Sequence, residues 1–121
     1  MRTLEIVSRP GLFAGQTVLE LNGSLELQQV FAFQNKMRED QSPVVILDMT
    51  NIAYIDSAGI GALVNAKVSR MRSGRRLAIA GITDRAKTVL DVTKTAQFFD
   101  FYPTAAEAEA KVLPSSETAT A

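Results

Sequence analysis

The stretch Val44-Val45-Ile46-Leu47-Asp48-Met49-Thr50-Asn51-Ile52-Ala53-Tyr54-Ile55-Asp56-Ser57-Ala58-Gly59-Ile60-Gly61-Ala62-Leu63 changes character along its length. Its first four residues are apolar toward both sides, as a strand covered on both faces requires. Ile60 then opens a stripe with Leu63, Val64, Val68 and Met71 at helical spacing. Between strand and helix stand Asp56 and Ser57, both residue types that cap helix starts. In open α/β sheets, ligands and partners meet the carboxyl ends of the strands. A helix beginning there presents unpaired N–H groups and roughly half a positive charge. Gly59 and Gly61 each cost about 1 kcal/mol in helix propensity. Either the backbone must approach something closely there, or the glycines only let helix and sheet pack tightly.

Working outward, Leu4 and Ile6 alternate with polar residues and predict a first strand. Gly15 precedes a second alternating run, with Thr17, Leu19 and Leu21 on one face and the more polar Gln16, Val18 and Glu20 on the other. The two runs read as a hairpin ended by Asn22-Gly23. From Glu26 the period becomes helical, with Leu27, Val30, Phe31, Gln34 and Met37 on one face to about residue 39. After the second helix, Ser73-Gly74 is a stop signal. Leu77 to Ala80 predicts another buried strand, and Asp84 to about Thr93 a third helix with Ala86, Val89 and Leu90 inward. Phe98 to Tyr102 predicts a short last strand. Pro103-Thr104 starts a terminal helix carrying Ala105, Ala108 and Val112. The order ββαβαβαβα implies one α/β domain over 1–113, with a mixed, mostly parallel sheet behind an antiparallel hairpin. Residues 114–121, small and polar, read as a flexible tail.

Composition narrows the chemistry. The chain has 121 residues, enough for one core without disulfides or metals. It carries 13 basic and 13 acidic residues, which argues against a dedicated nucleic-acid binder. Cysteine and histidine are both absent. That removes thiolate and imidazole metal sites, a Cys nucleophile and Ser-His-Asp catalysis. With no phosphate-binding loop of the Walker type, the reading is a protein that is not an enzyme and carries no cofactor. No signal peptide or run of roughly 20 apolar residues is seen, so a cytoplasmic protein without a membrane span is expected.

Ile55-Asp56-Ser57-Ala58-Gly59-Ile60-Gly61-Ala62-Leu63 resembles the signature of the STAS domain, specifically of the bacterial anti-sigma factor antagonists. Leu19 to Glu26 looks like that family's second strand and entry to its first helix. Leu77 to Ile82 is similar to its fourth strand, and Phe101-Tyr102-Pro103-Thr104 with Glu107-Ala108 to its closing strand and helix. The likeness covers about residues 4–112. It implies a STAS-type fold with helices mainly on one face of the sheet. It also implies a phosphorylation-controlled switch in stress-response transcription. The unphosphorylated antagonist binds an anti-sigma factor that is also a serine kinase, and so frees a sigma factor. A serine phosphatase resets it. By position in the motif, Ser57 is the phosphorylated residue. Glu26, Asp56, Ser57, Ala58, Gly59 and Gly61 would form the partner-binding surface, the glycines keeping the turn slim. The alternative is a non-switching STAS subunit of a stress-sensing scaffold or a lipid transporter complex.

Two positions depart from the family. Glu26 stands where Asp is common, which moves the charge by one methylene. Thr93-Lys94-Thr95-Ala96 stands where Gly-Leu is common, and reads as a loop of different shape rather than a left-handed lysine.

Other features read as ordinary. Lys67, Arg70, Arg72, Arg75 and Arg76 gather around a helix C-terminus, where the dipole favours cations. They would otherwise suit an acidic surface or anionic lipid. Glu26, Asp48 and Asp56 lack the spacing of a cation loop, so no metal is expected. Phe13, between Gly11 and Gly15, is the aromatic hardest to bury and a candidate partner contact.

Overall fold

The computed structural model describes residues 2–114. Its elements are β1 (Leu4–Pro10), β2 (Gln16–Leu25), α1 (Leu27–Glu39), β3 (Val44–Ile55), α2 (Ser57–Arg72), β4 (Arg76–Ala80), α3 (Asp84–Val92), a 3₁₀ turn at Ala96–Phe98, β5 (Phe101–Tyr102) and α4 (Ala105–Lys111). The strands lie in chain order, β1-β2-β3-β4-β5. Among the described residues only the β1–β2 pair is antiparallel. The expected flexible tail at 114–121 falls, from 115 onward, outside the described residues.

β3 is the middle strand, as its apolar run requires, and Val44 to Leu47 are fully buried. One face of the sheet carries the larger core. Leu19, Leu21, Val45, Leu47 and Ile79 pack there against Phe33 of α1, Ile60 and Leu63 of α2, and Leu90 of α3. Burying a side chain such as Phe33 stabilises by about 1.5–3 kcal/mol.

Several expectations are corrected. β2 does not end at Asn22-Gly23 but continues to Leu25, because Gly23 passes the bend at φ +120°. β3 likewise runs past Leu47 to Ile55, paired with β2 to its end. The face of Gln16 and Val18 is not polar surface. Gln16 is 4% exposed and Val18 fully buried, because α4 covers that face with Ala108 and Val112. Gln16 Nε2 donates to the Glu109 and Val112 carbonyls at 2.7 and 2.9 Å, so its amide is satisfied there. The last strand is only Phe101–Tyr102.

Both long helices are rotated from the expected stripes. α1 buries Gln29, Phe33 and Met37, leaving Leu27 and Phe31 exposed. Phe31 and Phe33 are two residues apart and cannot share a helix face. α2 buries Ile60, Ala62, Leu63, Ala66 and Arg70, while Val68 and Met71 face outward. Of these α2 residues, Ala62 and Ala66 are turned toward Gln34 and Met37 of α1. Lys94 also departs from expectation: it is left-handed, at φ 61°. It closes α3 through Lys94 N–H to Asp91 O at 3.1 Å and Thr95 N–H to Leu90 O at 2.9 Å. This is the turn that glycine usually serves.

Candidate functional site

β2 and β3 end side by side, with Leu25 opposite Ile55, so two helix starts emerge together from one edge of the sheet. Asp56 is the N-cap of α2, and its Oδ1 accepts the Gly59 N–H at 2.9 Å. Its Oδ2 accepts the Leu27 N–H at 3.1 Å, across at the start of α1. One carboxylate therefore serves two helix N-termini, where both dipoles favour negative charge.

Glu26 is the N-cap of α1, and its own N–H donates to Gln29 Oε1 at 3.0 Å, in the reciprocal manner of a capping box. The Glu26 carboxylate pairs with Arg2 at 3.5 Å. The Arg2 guanidinium also lies 3.9 Å from the Tyr54 ring centroid, within cation–π range. Asp48, the third carboxylate considered from sequence, is apart from this group. Its Oδ1 accepts the Thr50 N–H and hydroxyl at 3.1 and 2.6 Å. Among the described residues no cluster of carboxylates could hold a metal ion.

Ser57 is the first residue of α2 and is exposed. Asp56 performs the capping that local sequence alone assigns equally to either residue. The Ser57 hydroxyl makes no hydrogen bond among the described residues. A groove of about 490 Å³ begins at Ser57 and is lined along α2 by Ile60, Gly61 and Val64, with Thr93 and Thr95 opposite.

The two glycines differ. A Cβ on Gly59 would stand 2.0 Å from the Leu25 carbonyl oxygen, so Gly59 is the contact that lets α2 lie on β2. Gly59 is buried. A Cβ on Gly61 would meet nothing within 4 Å, and Gly61 is exposed beside Ser57's groove. Ala58 lies half-buried between Ser57 and Gly59.

Sequence reasoning missed Arg2, Gln29 and the exposed apolar pair beside the site. Leu27 and Phe31 are each 71% exposed and stand one turn apart on α1. The Glu26-x-x-Gln29 spacing was the available signal for Gln29. Nothing in sequence ties Arg2 to Tyr54. Phe13 is 45% exposed, in the β1–β2 connection.

No helix among the described residues is long and apolar enough to cross a membrane. Anti-sigma-B factor antagonist from Staphylococcus aureus is 28% identical over 68 residues, covering 56% of this chain and 60% of the relative. The match thus spans less than two thirds of that protein. The fold is shared with an anti-sigma factor antagonist from Mycobacterium paratuberculosis, at TM-score 0.78 and 15% identity over 91% of this chain and 94% of that one. It is also shared with the Bacillus cell fate determinant SpoIIAA in its phosphorylated form, at TM-score 0.64 and 15% identity over 93% of this chain and 100% of that one. The family model of the STAS domain matches residues 3–108, and with this sheet, these helices and the helix start at Asp56-Ser57, the chain belongs to the STAS domain family.

Proposed function

We propose that this protein is an anti-sigma factor antagonist whose binding is controlled by phosphorylation of Ser57. The observation that carries the reading is the division of labour between Asp56 and Ser57. Asp56 holds the cap, so the Ser57 hydroxyl is exposed, unbonded and open to a kinase. The relatives' names support the anti-sigma partner, and the solved phosphorylated SpoIIAA supports the modification. On this reading the partner is an anti-sigma factor with serine kinase activity, and a serine phosphatase reverses the mark in the cytoplasm.

The physics favours a local switch. A phosphate adds about −1.5 to −2 charge at neutral pH. The α2 N-terminus offsets part of it, by about 1 kcal/mol. The neighbouring Asp56 carboxylate opposes it. The fold therefore survives phosphorylation and the interface bears the change. Ser57, Ala58 and Gly61 present a low surface beside exposed Leu27 and Phe31, with Gly59 holding it in place from beneath and Glu26 and Asp56 at its edge. A partner closing over that surface must desolvate a dianion, a cost of several kcal/mol unless an arginine meets it.

Calorimetry against the cognate anti-sigma factor tests the reading. Ser57→Ala should bind like the unmodified protein and resist the kinase. Ser57→Asp and the phosphoprotein should bind at least about tenfold more weakly, about 1.4 kcal/mol, while melting at a similar temperature. Equal affinity for all forms would instead favour a constitutive scaffold or a transporter subunit.

A further inference from the structure

The other end of α2 carries a second feature that the switch does not use. Between the C-terminal halves of α1 and α2 lies a groove of about 320 Å³, within the size range of ligand sites. Met37 and Ala66 line it and are buried, while Arg38, Arg70 and Arg75 supply its charge. The five ion pairs among the described residues are Arg2–Glu26, Arg9–Glu20, Arg9–Glu109, Lys67–Asp100 and Lys87–Asp91. None involves these three arginines. The acids nearest in sequence, Glu39 and Asp40, form no ion pair with them among the described residues, although the Asp40 charge acts on Arg70. The Asp40 carboxylate instead accepts the Ser42 N–H at 2.8 Å.

The arginines divide into one anchor and two open donors. Arg70 is 3% exposed and donates to the carbonyls of Asp40, Ser42 and Arg76, so it is spent on structure. Burial pushes its guanidinium below the ordinary arginine value, and Arg75 adds to that while Asp40 opposes it. Arg75 is held by Ser73 Oγ at 3.1 Å through Nε, and by Asp40 O and Gln41 Oε1 at 3.4 and 3.2 Å through Nη1. Its Nη2 has no partner among the described residues. Arg38 donates through Nη2 to Asn35, leaving Nε and Nη1 unpartnered there. Helix dipoles favour cations in the last turns of α1 and α2, and Arg75 stands just past α2, its N–H donating to Arg70 O at 2.8 Å.

We propose that this groove docks an acidic peptide segment of a partner protein, with carboxylates on Arg38 and Arg75 and an apolar side chain against Met37 and Ala66. Charge complementarity selects the occupant. Guanidinium forks held by other bonds suit planar carboxylates, and little side-chain entropy remains to be lost on binding. The apolar surface is sunken between two helices, so a flat bilayer cannot reach it. No aromatic residue lines it for base stacking, which disfavours single-stranded nucleic acid. On α2 the groove runs from Ala62 to Arg70, about 8 to 20 Å along the helix from Ser57, and it includes none of Glu26, Asp56, Ser57, Ala58, Gly59 and Gly61, so it does not depend on the switch reading.

The test uses the full chain, ¹⁵N-labelled, titrated with a twelve-residue peptide of glutamates interspersed with leucines, and with the same peptide carrying lysine for glutamate. The glutamate peptide should shift amides at 34–41 and 62–75, and the effect should fade as salt rises. Arg38→Glu should weaken binding about tenfold or more, and Arg38→Glu with Arg75→Glu should abolish it. The Arg38 side chain hydrogen-bonds only to Asn35 among the described residues, so its reversal should lower the melting temperature by no more than the few degrees that the α1 dipole accounts for and leave the fold intact. Shifts elsewhere, equal binding of the lysine peptide, or undiminished affinity in folded Arg38→Glu would overturn the proposal. Binding to phosphatidylglycerol vesicles without binding to the peptide would also overturn it, in favour of a membrane contact.

Discussion

Asp56 accepts the backbone N–H of Leu27, which belongs to a different helix from the one Asp56 begins. The same carboxylate caps its own helix through Gly59. Removing it leaves two helix starts short of an acceptor. A single N-cap truncation costs about 1 kcal/mol, so Asp56→Ala should lose about 2 kcal/mol in denaturant unfolding. Asp56→Asn keeps one side-chain acceptor and should lose roughly half as much.

Gly59 and Gly61 should respond oppositely to alanine. Gly59→Ala drives a methyl into the Leu25 carbonyl and should cost about 3 kcal/mol, at the upper end of overpacking penalties. Gly61→Ala has open space and should gain up to about 1 kcal/mol from helix propensity. If the Ser57 surface is where the partner closes, Gly61→Ala should still bind more weakly. Thermal melts alongside binding titrations separate the two effects.

Lys94 holds a left-handed conformation that a side chain disfavours by about 1–2 kcal/mol. Lys94→Gly should raise stability by about 1 kcal/mol, part of the relief being cancelled by a looser unfolded chain. For a domain of this size that is roughly 3–6 °C in Tm.

Arg70 donates to three carbonyls, of which Asp40 O also accepts from Arg75. Arg70→Met should cost about 3 kcal/mol, since each buried acceptor left unpaired carries a penalty of about 1–3 kcal/mol. Arg70→Lys should recover little, because one ammonium lacks the planar fork that spans all three. Urea midpoints of the two variants decide this.

The fold was legible where one residue type answered one question. Val44 to Leu47 had to be a covered strand, and Asp56-Ser57 had to begin a helix. Partnerships across the chain were not legible. Val18 and Gln16 look like a surface face until α4 arrives from about ninety residues away to cover them. Phe31 and Phe33 compete for one face of α1, and only packing against β2 and α2 decides that Phe33 enters. Gly59 and Gly61 read alike in sequence; the Leu25 carbonyl under one of them makes the difference. Whether Asp56 or Ser57 caps α2 likewise depended on the distant Leu27, whose N–H rewards a two-armed carboxylate over a hydroxyl.

The sheet tapers toward the site. β4 pairs with β3 only as far as Asp48, and β1 pairs with β2 only as far as Gly23, so by Leu25 and Ile55 the five strands have become a two-stranded ribbon. Both helix starts hang from that ribbon, tied by Asp56 and the Leu25 carbonyl. Mechanical compliance is therefore concentrated at the Ser57 turn, while the broad base stays stiff. Local opening can loosen the ribbon at far lower cost than global unfolding, so the Ser57 turn can bend by small displacements without spreading strain into the core.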